Sequence, residues 1–176
     1  MKTLLLSAML LAASTPAFAQ EDGQPKPQRP PACEEKIHHD FDFWIGDWDV
    51  YDLKGEKAGE NSITREEYGC LLVEHWTDNS GVTGQSYNFY DNASQKWRQV
   101  WVSAGATIDY AGGLNDKGEM VLEGTIGYRN GKTAPFRGVW TKLSNGDVRQ
   151  HFEQYDAEEK SWKEWFTGIY KRKTAP

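Results

Sequence analysis

The chain has 176 residues and a formal net charge of -6 at pH 7, a length that supports one hydrophobic core of real size but not two. Its acidic balance argues against nucleic acid and anionic membrane as partners, because both need clustered Lys and Arg. The Lys171-Arg172-Lys173 run is too short to change this, and no segment after the N-terminal region is apolar enough for membrane insertion.

The chain starts Met1-Lys2-Thr3, runs through almost wholly apolar residues 4–13, and reaches Ala17-Phe18-Ala19 before Gln20. A charged start, a short apolar stretch and a small-x-small site are the parts of a secretory signal peptide. Residues 1–19 are therefore expected to be cleaved and the remainder delivered across the inner membrane to the periplasm, as a secreted protein. Residues 20–32 hold Pro25, Pro27, Pro30 and Pro31 without a large apolar side chain, the composition of a disordered linker. Residues 33–176 are left as the domain. Its two cysteines, Cys33 and Cys70, are expected to form a disulfide in an oxidising compartment; two buried thiols are the alternative.

Residues 34–39 read as a short helical turn. Beyond it the chain becomes a succession of short segments rich in Val, Ile, Thr and aromatics, broken by turn residues, which is the all-β rhythm. The strands predicted are 46–53, 59–68, 71–77, 85–90, 97–103, 107–112, 119–128, 134–143, 147–155 and 162–171. Asn130-Gly131 and Asn145-Gly146 suit the positive φ angles of tight hairpin turns, and Asn115-Asp116-Lys117-Gly118 suits a Gly-ended loop. An open sheet of about ten strands has two exposed edges, and a long meander removes them by closing on itself. The expected fold is thus an all-β, antiparallel up-and-down β-barrel with a short N-terminal helical turn; a sandwich is the alternative. Tyr90-Asp91 followed by Trp97 is echoed by Tyr155-Asp156 followed by Trp162, with Gln85 and Gln150 at matching offsets. Either two hairpins share one turn solution or an ancient duplication has left its trace.

The run Phe41-Asp42-Phe43-Trp44-Ile45-Gly46-Asp47-Trp48 resembles the opening of a family of secreted bacterial proteins classed as a domain of unknown function. The resemblance continues at Gly69-Cys70-Leu71-Leu72-Val73-Glu74-His75-Trp76, Ser86-Tyr87-Asn88-Phe89-Tyr90-Asp91, Trp97-Arg98-Gln99-Val100-Trp101-Val102 and Gly168-Ile169-Tyr170-Lys171-Arg172. It implies a calycin-like, lipocalin-like barrel and brings no settled activity. Gly46-Asp47-Trp48 is similar to the Gly-x-Trp that opens lipocalin barrels, where a late basic residue packs over the Trp; the resemblance gives Arg172 that closing role over Trp48.

Alternation along strands assigns the candidate site. Leu72, Glu74 and Trp76 share a face, as do Trp97, Gln99 and Trp101, and as do Ser86, Asn88 and Tyr90. With these faces inward, Glu74, Trp76, Ser86, Asn88, Tyr90, Trp97, Gln99 and Trp101 line an aromatic interior with a few polar groups, the make-up of a site for a small hydrophobic or amphipathic ligand. Glu74 in an apolar barrel is a ligand anchor, a catalytic acid or base, or half of a buried ion pair with Arg137 or Arg149. A binding protein ranks first, an isomerase- or hydrolase-type enzyme using Glu74 second, and an interaction module with a filled barrel third. No metal or cofactor is expected: His38-His39 point to different sides without a spaced third ligand. Haem barrels resembling nitrobindin use a late histidine, which makes His151 a minor alternative. No nucleophile elbow or phosphate loop is present in the sequence.

Overall fold

The computed structural model describes residues 33–173; the signal peptide and linker assigned to 1–19 and 20–32 lie outside them. Ten strands follow in order: β1 (Gly46–Tyr51), β2 (Lys57–Glu66), β3 (Leu71–Asp78), β4 (Thr83–Asp91), β5 (Lys96–Ser103), β6 (Ala106–Leu114), β7 (Met120–Tyr128), β8 (Thr133–Lys142), β9 (Val148–Asp156) and β10 (Ser161–Arg172). Each pairs antiparallel with the next, and β10 returns to β1, so the barrel is closed and no edge is exposed. The meander and the helical turn agree with the sequence reading, and the sandwich is excluded.

Two local readings are corrected. The second predicted strand stops at Glu66, because Glu67, Tyr68 and Gly69 all take positive φ in a tight 3₁₀ turn that re-aims the chain into β3. In the hairpins at Asn130-Gly131 and Asn145-Gly146 only the glycines take positive φ. The asparagines act through their side chains instead: Asn130 Oδ1 accepts from the Lys132 amide at 3.0 Å, and Asn145 Oδ1 from the Asp147 amide at 3.1 Å.

Sequence order alone makes the hairpins alternate between the two ends, and the ends differ. At one end the 3₁₀ turns Lys36–His39 and Asp42–Trp44 lie across the barrel and seal it. Phe41 stacks on Trp44 with centroids 4.9 Å apart and meets Trp97 and Trp140 edge-on at 5.8 and 5.3 Å. All four rings are buried. The plug is tied down by polar bonds, with Trp97 Nε1 donating to Ile37 O at 3.1 Å, Trp48 Nε1 donating to Trp44 O at 2.9 Å, and Arg65 pairing with Asp42. Cys33 and Cys70 form the disulfide, joining the start of the plug to the turn before β3. Arg172 lies 4.3 Å over the Trp48 ring, on the strand partner facing Trp48. Gly46 makes room for it: a Cβ there would come within 2.3 Å of the Arg172 guanidinium, and the backbone has φ of +139°.

The two segments of the sequence echo share their turn chemistry. Asp91 and Asp156 both accept backbone amides in their hairpins, and Gln95 and Lys160 take matching positive φ. The faces are exchanged, however: Trp97 is buried inside, whereas Trp162 lies outside under Arg137.

Candidate functional site

Opposite the plug the barrel opens into a cavity of about 610 Å³. Strand alternation turns Leu72, Glu74 and Trp76 of β3, Ser86 and Asn88 of β4, and Gln99 and Trp101 of β5 inward, as predicted. Their neighbours Tyr87 and Val102 face solvent. Glu74, Trp76, Gln99 and Trp101 line the cavity directly, while Ser86 and Asn88 sit fully buried behind Glu74. Tyr90 and Trp97 are placed elsewhere. Their strand positions lie toward the plug, where Tyr90 meets His38 edge-on at 5.5 Å and Trp97 supports Phe41. They belong to the sealed end, because β4 enters it and β5 leaves it at those residues.

The walls are mainly aromatic and aliphatic: Trp76, Trp101, Ile108, Ile126, Phe152 and Phe166. Two glycines let indoles lie flat. A Cβ at Gly84 would come 2.1 Å from the Trp101 ring, and one at Gly59 would come 2.8 Å from the Trp76 ring. Two bulges at the rim add further residues to the lining. The register slips at Ala58 opposite β1 and at Trp165 opposite β9, and both residues line the cavity. Such bulges turn an extra side chain inward. Trp165 and Phe166 were not picked out in the sequence, since strict alternation puts neighbours on opposite faces; a tandem aromatic pair near a strand's rim end was the available signal.

The floor is polar and continuous. Glu74 Oε1 accepts from Asn61 Nδ2 at 2.7 Å, and Oε2 accepts from Ser86 Oγ at 2.6 Å. Asn88 Nδ2 donates to Ser86 Oγ at 2.8 Å, Gln99 donates to Asn88, and Tyr110 donates to Gln99. On the other side Asn61 Nδ2 reaches Tyr170 Oη at 3.2 Å, and Tyr170 donates to Gln150 Oε1 at 2.8 Å. Seven strands contribute: β2, β3, β4, β5 and β6 on one flank, with β9 and β10 completing the ring through Gln150 and Tyr170. Asn61, Tyr110, Gln150 and Tyr170 were missed in the sequence, because nothing local marks a polar residue whose partner lies across the barrel.

Glu74 is only 4% exposed. Burial raises its pKa to about 7, partly offset by the hydrogen bonds from Ser86 and Asn61. Burial, reinforced by the charge of Glu74, holds Tyr110 and Tyr170 well above the usual tyrosine range. The ion pair considered for Glu74 does not form. Arg137 lies on the outer face, where it bonds Glu153 at 2.6 Å and covers Trp162 at 4.5 Å, and Arg149 sits on the face of β9 opposite Gln150. Among the described residues the lining contains Glu74 and Asp78 but no Lys, Arg or His. His151 also faces outward, with Nδ1 2.7 Å from Thr167 Oγ1, so it cannot serve as an axial ligand inside this cavity. Among the described residues no cluster of three His, Cys, Asp or Glu is arranged to hold a metal ion.

The site is therefore a blind apolar pocket with a hydrogen-bonding floor and one uncompensated carboxyl group. No protein-family model matches the chain, and no curated protein matches it.

Proposed function

We propose that this is an exported, lipocalin-like binding protein that holds a small amphipathic molecule in the barrel, polar end on the floor and apolar body between the walls. The observation that carries the reading is the open 610 Å³ cavity, mainly apolar along its sides with a hydrogen-bonded polar floor. That division suits an amphiphile, since apolar contact supplies affinity and a few placed polar groups supply orientation. An interaction module with a filled barrel is the less suited alternative, because its interior would be dry and packed. The Cys33–Cys70 bond supports export, since such bonds persist in oxidising compartments such as the periplasm.

The test is titration of the purified protein with dodecanol, followed by intrinsic tryptophan fluorescence. Trp76, Trp101 and Trp165 line the cavity, so filling it changes their emission in a saturable, one-to-one manner. Absence of any saturable change with dodecanol, dodecylamine or dodecanoate would overturn the proposal.

A second reading, a barrel enzyme using Glu74 as general acid or base, is favoured by one observation: the carboxyl opens onto the cavity and its pKa lies near neutrality. For any substrate that the purified protein turns over, this reading predicts a rate profile with an inflection near pH 7 that Glu74→Gln removes.

A further inference from the structure

Resting on the binding reading above, we infer that the cavity selects amphiphiles with a cationic, amine-type head, which Glu74 pairs at the floor beneath the indoles of Trp76 and Trp101.

Three features carry this. The first is charge balance. Glu74 is the sole carboxyl group on the floor, each of its oxygens is met by one neutral donor, and no cation among the described residues reaches it. A carboxylate taken out of water without a counter-charge is costly, and a partner that brings the missing charge removes that cost. The second is the lining as a whole. Every charged side chain on it is acidic, Glu74 at the floor and Asp78 at the rim, so an anionic head meets repulsion at the mouth and again at the base.

The third is the wall above the carboxyl. Trp76 follows Glu74 by two residues on the same face of β3, one step nearer the mouth, and Trp101 faces Ser86 across the β4–β5 pair. Indole faces attract ammonium groups, most strongly where water is excluded. A carboxylate flanked by indoles at the end of an apolar tube thus fits the head and tail of an alkylammonium ion. The carboxylate of Glu74 has acceptor capacity left beyond Asn61 and Ser86 for an ammonium N–H, and a hydroxyl head gains only one such bond without the charge.

Binding has a proton balance that a neutral ligand lacks. An ammonium head forces Glu74 into its carboxylate form, and the displaced proton passes to the buffer. The other titratable groups facing Glu74, Tyr110 of β6 and Tyr170 of β10, keep their protons throughout this range.

The experiment compares dodecylamine, dodecanol and dodecanoate by isothermal titration of the whole protein, each below its micellar concentration. At pH 7 dodecylamine is expected to bind about tenfold more tightly than dodecanol, with dodecanoate weakest. At pH 6, in two buffers of different ionisation enthalpy, it is expected to release close to one proton, in the range of about 0.5 to 1, and dodecanol none. Glu74→Gln is expected to bring the dodecylamine-to-dodecanol affinity ratio near one. Should that variant fail to fold, the proton release of the wild type decides. Equal affinities, a preference for dodecanoate, or amine binding without proton release overturns the inference while leaving the binding reading intact. If none of the three binds, both fall.

Discussion

A carboxyl group that loses its water on folding keeps its proton to a higher pH than it does in the unfolded chain. For Glu74 the values are about 7 in the barrel against 4.5 as the ordinary reference. Between them the folded state binds the extra proton, so this residue's contribution is fully present below pH 4.5 and is lost as pH rises through 7. A shift of that size corresponds to about 3 kcal/mol. Chemical unfolding of wild type and Glu74→Gln between pH 4.5 and 8 checks it: the variant gains stability relative to wild type with rising pH, whereas a flat difference shows that Glu74 does not titrate this way. The residue itself was legible in the sequence, because Leu72 and Trp76 flank it at strand spacing. Its environment was legible only in part. The parity of β8 already turns Arg137 outward when Phe136 faces the core, but Asn61 and Tyr170 come from distant strands, and no local pattern announces them.

At the scale of elements, strand positions were the clearest part of the sequence, because β-branched and aromatic runs alternate between explicit turns. What escaped was irregularity. A bulge shifts parity by one residue, and neither Ala58 nor Trp165 carries a residue type that demands one. The flat seating of indoles on glycine was equally hidden, since it joins residues on neighbouring strands: Gly84 lies on β4 and Trp101 on β5. Gly84→Ala tests how much that seating matters. The added methyl pushes the indole toward the barrel axis, with an expected loss of about 1–3 kcal/mol of stability from overpacking and weaker dodecanol binding from the narrowed cavity. Gly113→Ala, where a Cβ meets nothing within 4 Å, is the matched control. Urea midpoints for the two variants decide the first effect and fluorescence titration the second; equal midpoints would mean that Trp101 has room to yield.

For the molecule as a whole, the decisive asymmetry is that one end is stoppered and the other open. The sequence announced a helical turn at 34–39 before the first strand but not that Phe41 and Trp44 carry it on across the barrel end. The stopper is held by its ring stack and by a disulfide spanning 37 residues of chain. Replacing both Cys33 and Cys70 with Ser is expected to lower stability by about 4 kcal/mol in the chain-entropy estimate, read from urea unfolding; an unchanged midpoint would assign the sealing to the aromatic stack and the plug's polar bonds. A tube with a stopper fills as a syringe barrel with no outlet does. Water standing in it has to escape backward past whatever is coming in, and a molecule wide enough to touch the wall all round acts as a piston against it. Entry should therefore slow with the girth of the guest far more than with its length, and departure must retrace the same passage in reverse. A slender chain slips in, while a bulky one of equal affinity arrives late and leaves late.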